Sequence, residues 1–450
     1  MPLAFNSTSA RVYRHAGLVL ALLITGPFAV MAQQKDSLLS EATLPNIINY
    51  ALERQPVVRQ SIIDREITEQ QVKSRLADWY PQINFNYLYQ HNFQVQTNII
   101  GGNAVQLGVN NTSALQLLAT QNIFNRDLLL AGRTRTDVRR QAEQQVTNTK
   151  INVIANVSKA FYDVLATKEQ INVSLTNITR LERSLKDATA QYNAGIVDKT
   201  DYKRATIALN NARALLKNNQ ESLLAKTEYL KSLIDYPVSQ QLVISYDSAT
   251  LENEIPVDTL QGLDKSRRIE FQQLQTQRRL QEANVQYNRW SYLPTFSANG
   301  GYIRQFLDDR FSKLYTQAFP QSYAGVTLGL PIFQGGKRKY NLNAAKLQLK
   351  RTELDIESLE NSINSEYYNA LAGYKSSLAN YEALKENMAL AQEVYDVINL
   401  QYRSGIRTYL EVVVAESDLR TAQVNYFNAL YLVLSSKIDV QVALGNISAQ

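Results

Sequence analysis

The chain has no cysteine among its 450 residues, which excludes disulfides, zinc–thiolate centres and thiol chemistry. Histidine is nearly as scarce. Only His15 and His91 occur, and His15 falls in a segment expected to be removed on export, so a histidine-centred active site is excluded in practice. Proline is missing between Pro81 and Pro237 and again from Pro331 to the C-terminus. Both spans are also poor in glycine and rich in Ala, Leu, Gln, Lys and Glu, so long unbroken helices are expected there. Beyond the N-terminal leader no uncharged apolar run approaches the roughly 20 residues of a spanning helix, which rules out an inner-membrane helical bundle. The formal charge of +6 is mild for this length and dispersed, unlike a nucleic-acid footprint.

Residues 1–32 read as a secretory leader. Arg11, Arg14 and His15 form a basic n-region, Ala16 to Val30 is uncharged and mostly apolar, and Val30-Met31-Ala32 places small residues before Gln33. The alternative is an uncleaved signal anchor. No cysteine follows the apolar stretch, so this chain cannot carry a lipoprotein anchor.

What the chain does have is an internal repeat. Gln191-Tyr192, Gly195, Ala205, Leu209 and Ala212 return as Gln401-Tyr402, Gly405, Ala415, Leu419 and Ala422, displaced each time by 210 positions, with Glu411 opposite Asp201. Trp79-Tyr80-Pro81 likewise corresponds to Tyr292-Leu293-Pro294, and Ile123-Phe124 to Ile332-Phe333. The reading is a tandem duplication, with a first structural repeat over 33–245 and a second over 246–450.

Helices are expected over 41–78, 126–193, 199–233, 260–290, 337–403 and 408–443. At about 1.5 Å per residue, the segment 126–193 would extend on the order of 100 Å. Ala415, Leu419, Ala422, Tyr426, Ala429 and Val433 step alternately by four and three, as do Ala205, Leu209, Ala212, Leu216, Asn219 and Leu223. That average of 3.5 is the seam of a left-handed coiled coil, against the alternative of an ordinary amphipathic helix drifting toward 3.6.

Between helices the period changes to two. Strands are expected at about 82–93 and 113–122 in the first repeat and at 295–304 and 322–331 in the second, joined by polar loops over 94–112 and 305–322. Each has the length of a tilted membrane-spanning strand. Four strands cannot close a transmembrane barrel, so either a small soluble sheet forms or other chains complete the barrel; three copies would supply twelve strands. Phe85, Tyr87, Tyr89, Tyr302 and Tyr323 favour the membrane, because aromatic girdles mark barrel rims.

The order of helix, proline-preceded strand pair and long helical hairpin, given twice, resembles the TolC-type outer membrane efflux protein family. The resemblance rests on Leu52-x-x-x-Pro56, Tyr80-Pro81, Leu293-Pro294, Pro331-Ile332-Phe333-x-Gly335-Gly336, and the paired motifs from Tyr192-x-x-Gly195 to Leu209-x-x-Ala212 and from Tyr402-x-x-Gly405 to Leu419-x-x-Ala422. It covers essentially the whole mature chain. It implies a mainly α fold with two membrane β-hairpins per chain, and a homotrimer whose twelve-stranded barrel sits in the lipid of a Gram-negative outer membrane. A helical tunnel would cross the periplasm. It further implies a passive export conduit without cofactor, for small molecules or polypeptides, in a tripartite efflux or type I secretion system. A periplasmic adaptor would join it to an inner-membrane pump of the RND, ABC or MFS type. Gly195 and Gly405 would then mark hairpin tips where the adaptor docks, and Thr200, Asp201, Tyr402 and Arg407 would hold the closed gate, with Asp201 and Arg407 as an ion-pair latch. Glu411 matches one acidic constriction position, but Val414 stands three residues later, so a single glutamate ring is expected instead of a double one.

Catalysis finds no support. Gly335-Gly336-Lys337 lacks phosphate-loop spacing, and no acidic pair sits in a pocket this architecture can form. The rival reading is a periplasmic coiled-coil scaffold without a pore.

Overall fold

The computed structural model describes residues 39, 41–195, 198–246, 248–258 and 261–448; the expected leader, 1–32, lies outside them. The body that begins at Glu41 carries all the elements below.

Helix α1 spans Leu44–Arg54 and α2 spans Pro56–Ala77, so the single helix expected over 41–78 is broken. The break falls at Gln55, which is non-helical at φ −54°, ψ 121°. Pro56 causes it, since proline disfavours helical geometry in the preceding residue and has no N–H to donate. The two proline-free spans form the long helices α3, Arg126–Asn193 with 68 residues, and α7, Lys337–Arg403 with 67. Their return partners are α4, Lys199–Ile234, and α8, Tyr409–Ala443. The second half opens with a short helix α5, Ser248–Asn253, and α6, Ile269–Trp290, ahead of its strand pair. The expected helix over 260–290 therefore starts late. The Asp264 carboxylate accepts from the Ser266 backbone N–H at 3.0 Å, holding Lys265–Arg267 in a tight turn, and Arg268 leaves that turn extended.

The 3.5-residue seams pack as the spacing predicts. Leu209 and Ala212 bury against Leu181 of α3, and Ala415 and Leu419 against Tyr395 of α7. The polar seam residue Asn219 is satisfied by the Ser174 hydroxyl at 3.2 Å. Helix α7 also carries buried tyrosines at heptad spacing, Tyr367, Tyr374, Tyr381, Tyr395 and Tyr402 among its buried or half-buried residues. Tyr367 donates to the Gln261 carbonyl at 3.0 Å and Tyr374 to the Ile255 carbonyl at 2.9 Å, tying α7 to the segment between α5 and α6. The buried Arg268 guanidinium donates to Glu366 at 2.9 Å, to Glu270 at 3.1 Å and to the Ala443 carbonyl at 3.3 Å, locking α6, α7 and the end of α8 together.

The strands are β1, Gln82–His91; β2, Thr97–Ile100; β3, Asn103–Gln106; β4, Asn111–Phe124; β5, Thr295–Asp308; and β6, Ala318–Gly329. Three of the four main strands, β4, β5 and β6, reach further toward the loops than expected. The loop 94–112 contains its own small hairpin, β2–β3, turned by Gly101 and Gly102 at φ 63° and 86°. The main sheet runs β1-β4-β5-β6, antiparallel throughout, so the two halves meet through β4 and β5 while β1 and β6 form its edges.

Cross-strand partners share a face. Phe85, Leu117, Tyr302 and Ser322 form one row, and the neighbouring rows on that face bring Ile83, Leu115, Val326 and Leu328. The opposite face is mixed: Asn86, Gln116, Ile303 and Gln321 form one row, flanked on that face by Asn84, Leu118 and Tyr323 on one side and by Leu88, Gln305 and Phe319 on the other. The first face is thus the more apolar of the two, although Arg304 and Gln121 lie on it, and most of β1 and β6 is exposed.

Candidate functional site at the hairpin tips

Each long hairpin must reverse between two helices, and the two tips achieve this differently. At the second tip α7 ends with Gly405 at φ 76°, a left-handed conformation that glycine adopts without strain. The Ile406 N–H then reaches back to the Gln401 carbonyl at 2.9 Å, and the Gly405 N–H to Tyr402 at 2.9 Å. Helix α8 restarts with a capping box. The Glu411 carboxylate accepts from the Thr408 N–H at 2.8 Å and from its hydroxyl at 2.9 Å.

Arg407 completes this turn. Its Nη1 lies 2.6 Å from Glu411 Oε1, and its Nε donates to the Gln401 side chain at 3.0 Å. Both Glu411 oxygens are therefore engaged. The Thr408 backbone bond, followed by Arg407, holds the carboxyl below the usual glutamate range.

The first tip ends α3 with Gly195 at φ 73°, and no atom lies within 4 Å of the Cβ position at either tip glycine. Helix α4 restarts after Asp198, whose side chain caps no backbone N–H but accepts from the Thr200 hydroxyl at 3.0 Å. Asp198 and Asp201 occupy the positions of Thr408 and Glu411, but the reciprocal bonds of a capping box are not made here, the Asp198 carboxylate being turned to the Thr200 hydroxyl. The Asp201 carboxylate makes no hydrogen bond or ion pair among the described residues. It lies close enough to the Tyr402 and Tyr409 hydroxyls to help burial raise their pKa values.

Within one chain, then, the expected Asp201–Arg407 latch is not formed, because Glu411 lies one helical turn from Arg407 and reaches it first. Tyr402 does bridge the hairpins, donating to Gln191 Oε1 at 3.3 Å. Tyr409 inserts between Ala188 and Ala205 of the first hairpin. Gln191 and Gln401 give no signal as partners in the sequence, whereas Thr408-x-x-Glu411 is a legible capping-box pattern.

One further charged side chain lies just above the tip. Glu416 of α8 is only 4% exposed, and its Oε1 has no hydrogen-bond partner. Burial pushes its carboxyl up to about 7 despite the opposing pull of Arg180 from α3 and Arg420 from α8. The Arg180 guanidinium sits 5.0 Å over the Tyr395 ring, so groups from α3, α7 and α8 converge here. Among the described residues no group of His, Cys, Asp or Glu side chains could hold a metal ion, and no helix is long and apolar enough to cross a membrane.

Comparison with known proteins completes the picture. The outer membrane efflux protein family matches residues 47–234 and again 263–446. Outer membrane protein TolC of Escherichia coli (strain K12) is 23% identical over 433 residues, covering 92% of this chain and 84% of that protein. Among solved structures, the outer membrane protein VceC of Vibrio cholerae superposes with a TM-score of 0.72 at 15% identity, covering 89% of this chain and 96% of the other. The open state of the Neisseria gonorrhoeae MtrE outer membrane channel superposes with a TM-score of 0.71 at 20% identity, covering 89% and 88%. A helical hairpin given twice, each with its strand pair, is the unit that the family matches on both sides of the chain: this protein belongs to the outer membrane efflux protein family.

Proposed function

We propose that three copies of this chain assemble into an outer membrane efflux conduit, continuous with a helical tunnel through the periplasm and joined there to an adaptor and an inner-membrane pump. The observation that carries this reading is the four-stranded sheet with its two open edges. Strands β1 and β6 each have a single strand neighbour, and one face of the sheet is more apolar than the other. An open edge is not tolerated in lipid, and pairing β6 of one copy with β1 of the next closes twelve strands without an edge. The 68- and 67-residue helices supply on the order of 100 Å of tunnel wall. Substrate passes through without chemical change.

The aperture is governed at the tips, with Gly195 and Gly405 at the adaptor-docking ends. Among the described residues Asp201 is left without a side-chain partner in its own chain, and the Arg407 hydrogen bonds there use Nε and Nη1 but not Nη2. These two groups meet between neighbouring copies, with Thr200 and Tyr402 beside them, and hold the gate shut. Three such exposed contacts contribute modestly, roughly 0–1 kcal/mol each, which suits a gate that must open. Glu411 from three copies forms a ring whose affinity for multivalent cations is limited by its bonds to Thr408 and Arg407.

Single-channel recording in planar bilayers tests the whole reading. A native trimer should show a small closed-state conductance, and Asp201→Ala with Arg407→Ala should raise it several-fold. Absence of any channel activity from a correctly exported protein would leave the pore-free scaffold as the better account. A channel whose conductance ignores both substitutions would reject the latch alone. Glu411→Gln should weaken block by a trivalent cation.

A further inference from the structure

The registers place four sheet-to-helix junctions at one end of the sheet. Gln82 pairs with Thr120, Asn122 with Ser297, and Thr295 with Gly329, so the start of β1, the end of β4, the start of β5 and the end of β6 lie in one layer. Exposed apolar side chains collect there: Tyr80, Tyr292, Leu330, and above all Ile332 and Phe333, which are 89% and 87% exposed. Such large apolar exposure, in a layer bordering the more apolar sheet face, marks contact with something other than water.

The next turn of chain adds charge. Helix α7 opens with Lys337, Arg338 and Lys339 and has no acidic residue in its first turn. Its N-cap, Gly336, offers no side-chain cap. Cations at the positive end of a helix oppose its dipole, so this arrangement costs stability unless an anion lies nearby. The Arg338 guanidinium is fixed, stacked 4.9 Å over the Tyr292 ring and donating to the Ile332 carbonyl at 3.1 Å. Lys337 and Lys339 are exposed and have no side-chain partner among the described residues. Beside them is a cavity of about 460 Å³ lined in part by Arg126, Trp290, Leu330 and Gln334. The Arg126 guanidinium stacks 4.5 Å over Tyr287. Cations held on aromatic faces next to apolar anchors match an anionic lipid, whose phosphate is charged and whose chains are not.

We propose that Ile332, Phe333, Lys337 and Lys339, with Arg126 and Arg338, form a binding site for an anionic glycerophospholipid of the periplasmic leaflet. The apolar pair inserts among the acyl chains and the lysines engage the headgroup phosphate. The inference rests on the membrane placement of the sheet proposed above.

The test is native mass spectrometry of the detergent-purified trimer with added dioleoylphosphatidylglycerol or dioleoylphosphatidylcholine. The wild type should retain the anionic lipid in preference to the zwitterionic one. Lys337→Gln with Lys339→Gln should lower that preference roughly thirtyfold while leaving the trimer intact, as expected for loss of two cations near an anionic headgroup. Phe333→Ser should reduce retention of both lipids. Retained lipid with an unchanged headgroup preference in the double variant would overturn the site. So would loss of the preference when millimolar inorganic phosphate is added, which would indicate a free-anion site. Trimer dissociation by Phe333→Ser, with anionic lipid binding still normal in the lysine variant, would assign the apolar pair to subunit contact and also overturn it. A detergent-purified trimer that retains neither lipid would overturn the site, whereas a protein recovered only from the soluble fraction, with no trimer in detergent, would refute the membrane placement itself.

Discussion

Glu416→Gln is the sharpest test of the packing above the tips. A carboxyl with its pKa at about 7, against 4.5 for the free group, carries roughly 3 kcal/mol of penalty when ionised in place. Below pH 4.5 the group is neutral both folded and unfolded, and the packing is fully stable. As pH rises from 4.5 through 7 the unfolded chain releases its proton first, so stability falls, and above pH 7 the whole penalty is present. Glutamine keeps the shape and never ionises. Thermal unfolding of the helical body, followed by circular dichroism in detergent, should show the variant and the wild type melting together at pH 4.5. At pH 8.5 the variant should melt a few degrees higher, the shift expected for a few kcal/mol in a body of this size. Arg180→Ala in the wild-type background should enlarge the gap, since Arg180 is the larger of the two opposing charges. A gap that does not change with pH, or a wild type that gains stability at pH 8.5, would refute the buried-carboxylate account.

Other expectations follow from the same geometry. Thr408→Ala removes the hydroxyl half of the capping box and should cost about 1 kcal/mol, read as faster hydrogen exchange in the first turn of α8. Gly405→Ala should cost about 1 kcal/mol from its positive φ alone, because nothing lies within 4 Å of the added methyl. Leu419→Ala, at a fully buried seam position, should cost about 2–5 kcal/mol in thermal or denaturant unfolding. Arg268→Ala strips a buried guanidinium from Glu366, Glu270 and the end of α8; the glutamates left behind are more than a third exposed, so the cost should be about 1.5–3 kcal/mol, with Arg268→Met recovering part of it.

The long helices were legible because their signal is redundant. Over 126–193 and 337–403, missing proline, scarce glycine and apolar periodicity all agree, and the observed bounds match the expected ones. Short-range competition was harder to read. Asp264 captures the Ser266 N–H and delays α6 to Ile269, while Pro56 breaks the first helix at Gln55 although the pattern on both sides is helical. The small hairpin at 97–106 depends on two consecutive left-handed glycines inside a polar loop. At the tips, the expected residues lie at the helix ends, and within one chain Arg407 is held by Glu411. An arginine four residues before a glutamate has a local partner, and it takes that partner before any distant aspartate. Glu416 was invisible because burial on three sides is a tertiary fact, with no pattern of its own in the chain.

The tyrosines spaced by seven along α7 have a consequence for motion. A coiled coil with a uniform apolar seam looks nearly the same after sliding by one heptad, roughly 10 Å, so apolar packing alone leaves its axial position ambiguous. The hydroxyls of Tyr367, Tyr374 and Tyr402 are committed to Gln261, Ile255 and Gln191, three acceptors that do not repeat with that period. They work like graduations on a scale that can be read in only one position. A slide would break all three bonds at once, whereas a twist or bend about the axis could break them one at a time, beginning at the half-buried Tyr402 at the tip. The hydroxyl contacts thereby resist axial sliding of α7 more than twisting or bending about its axis.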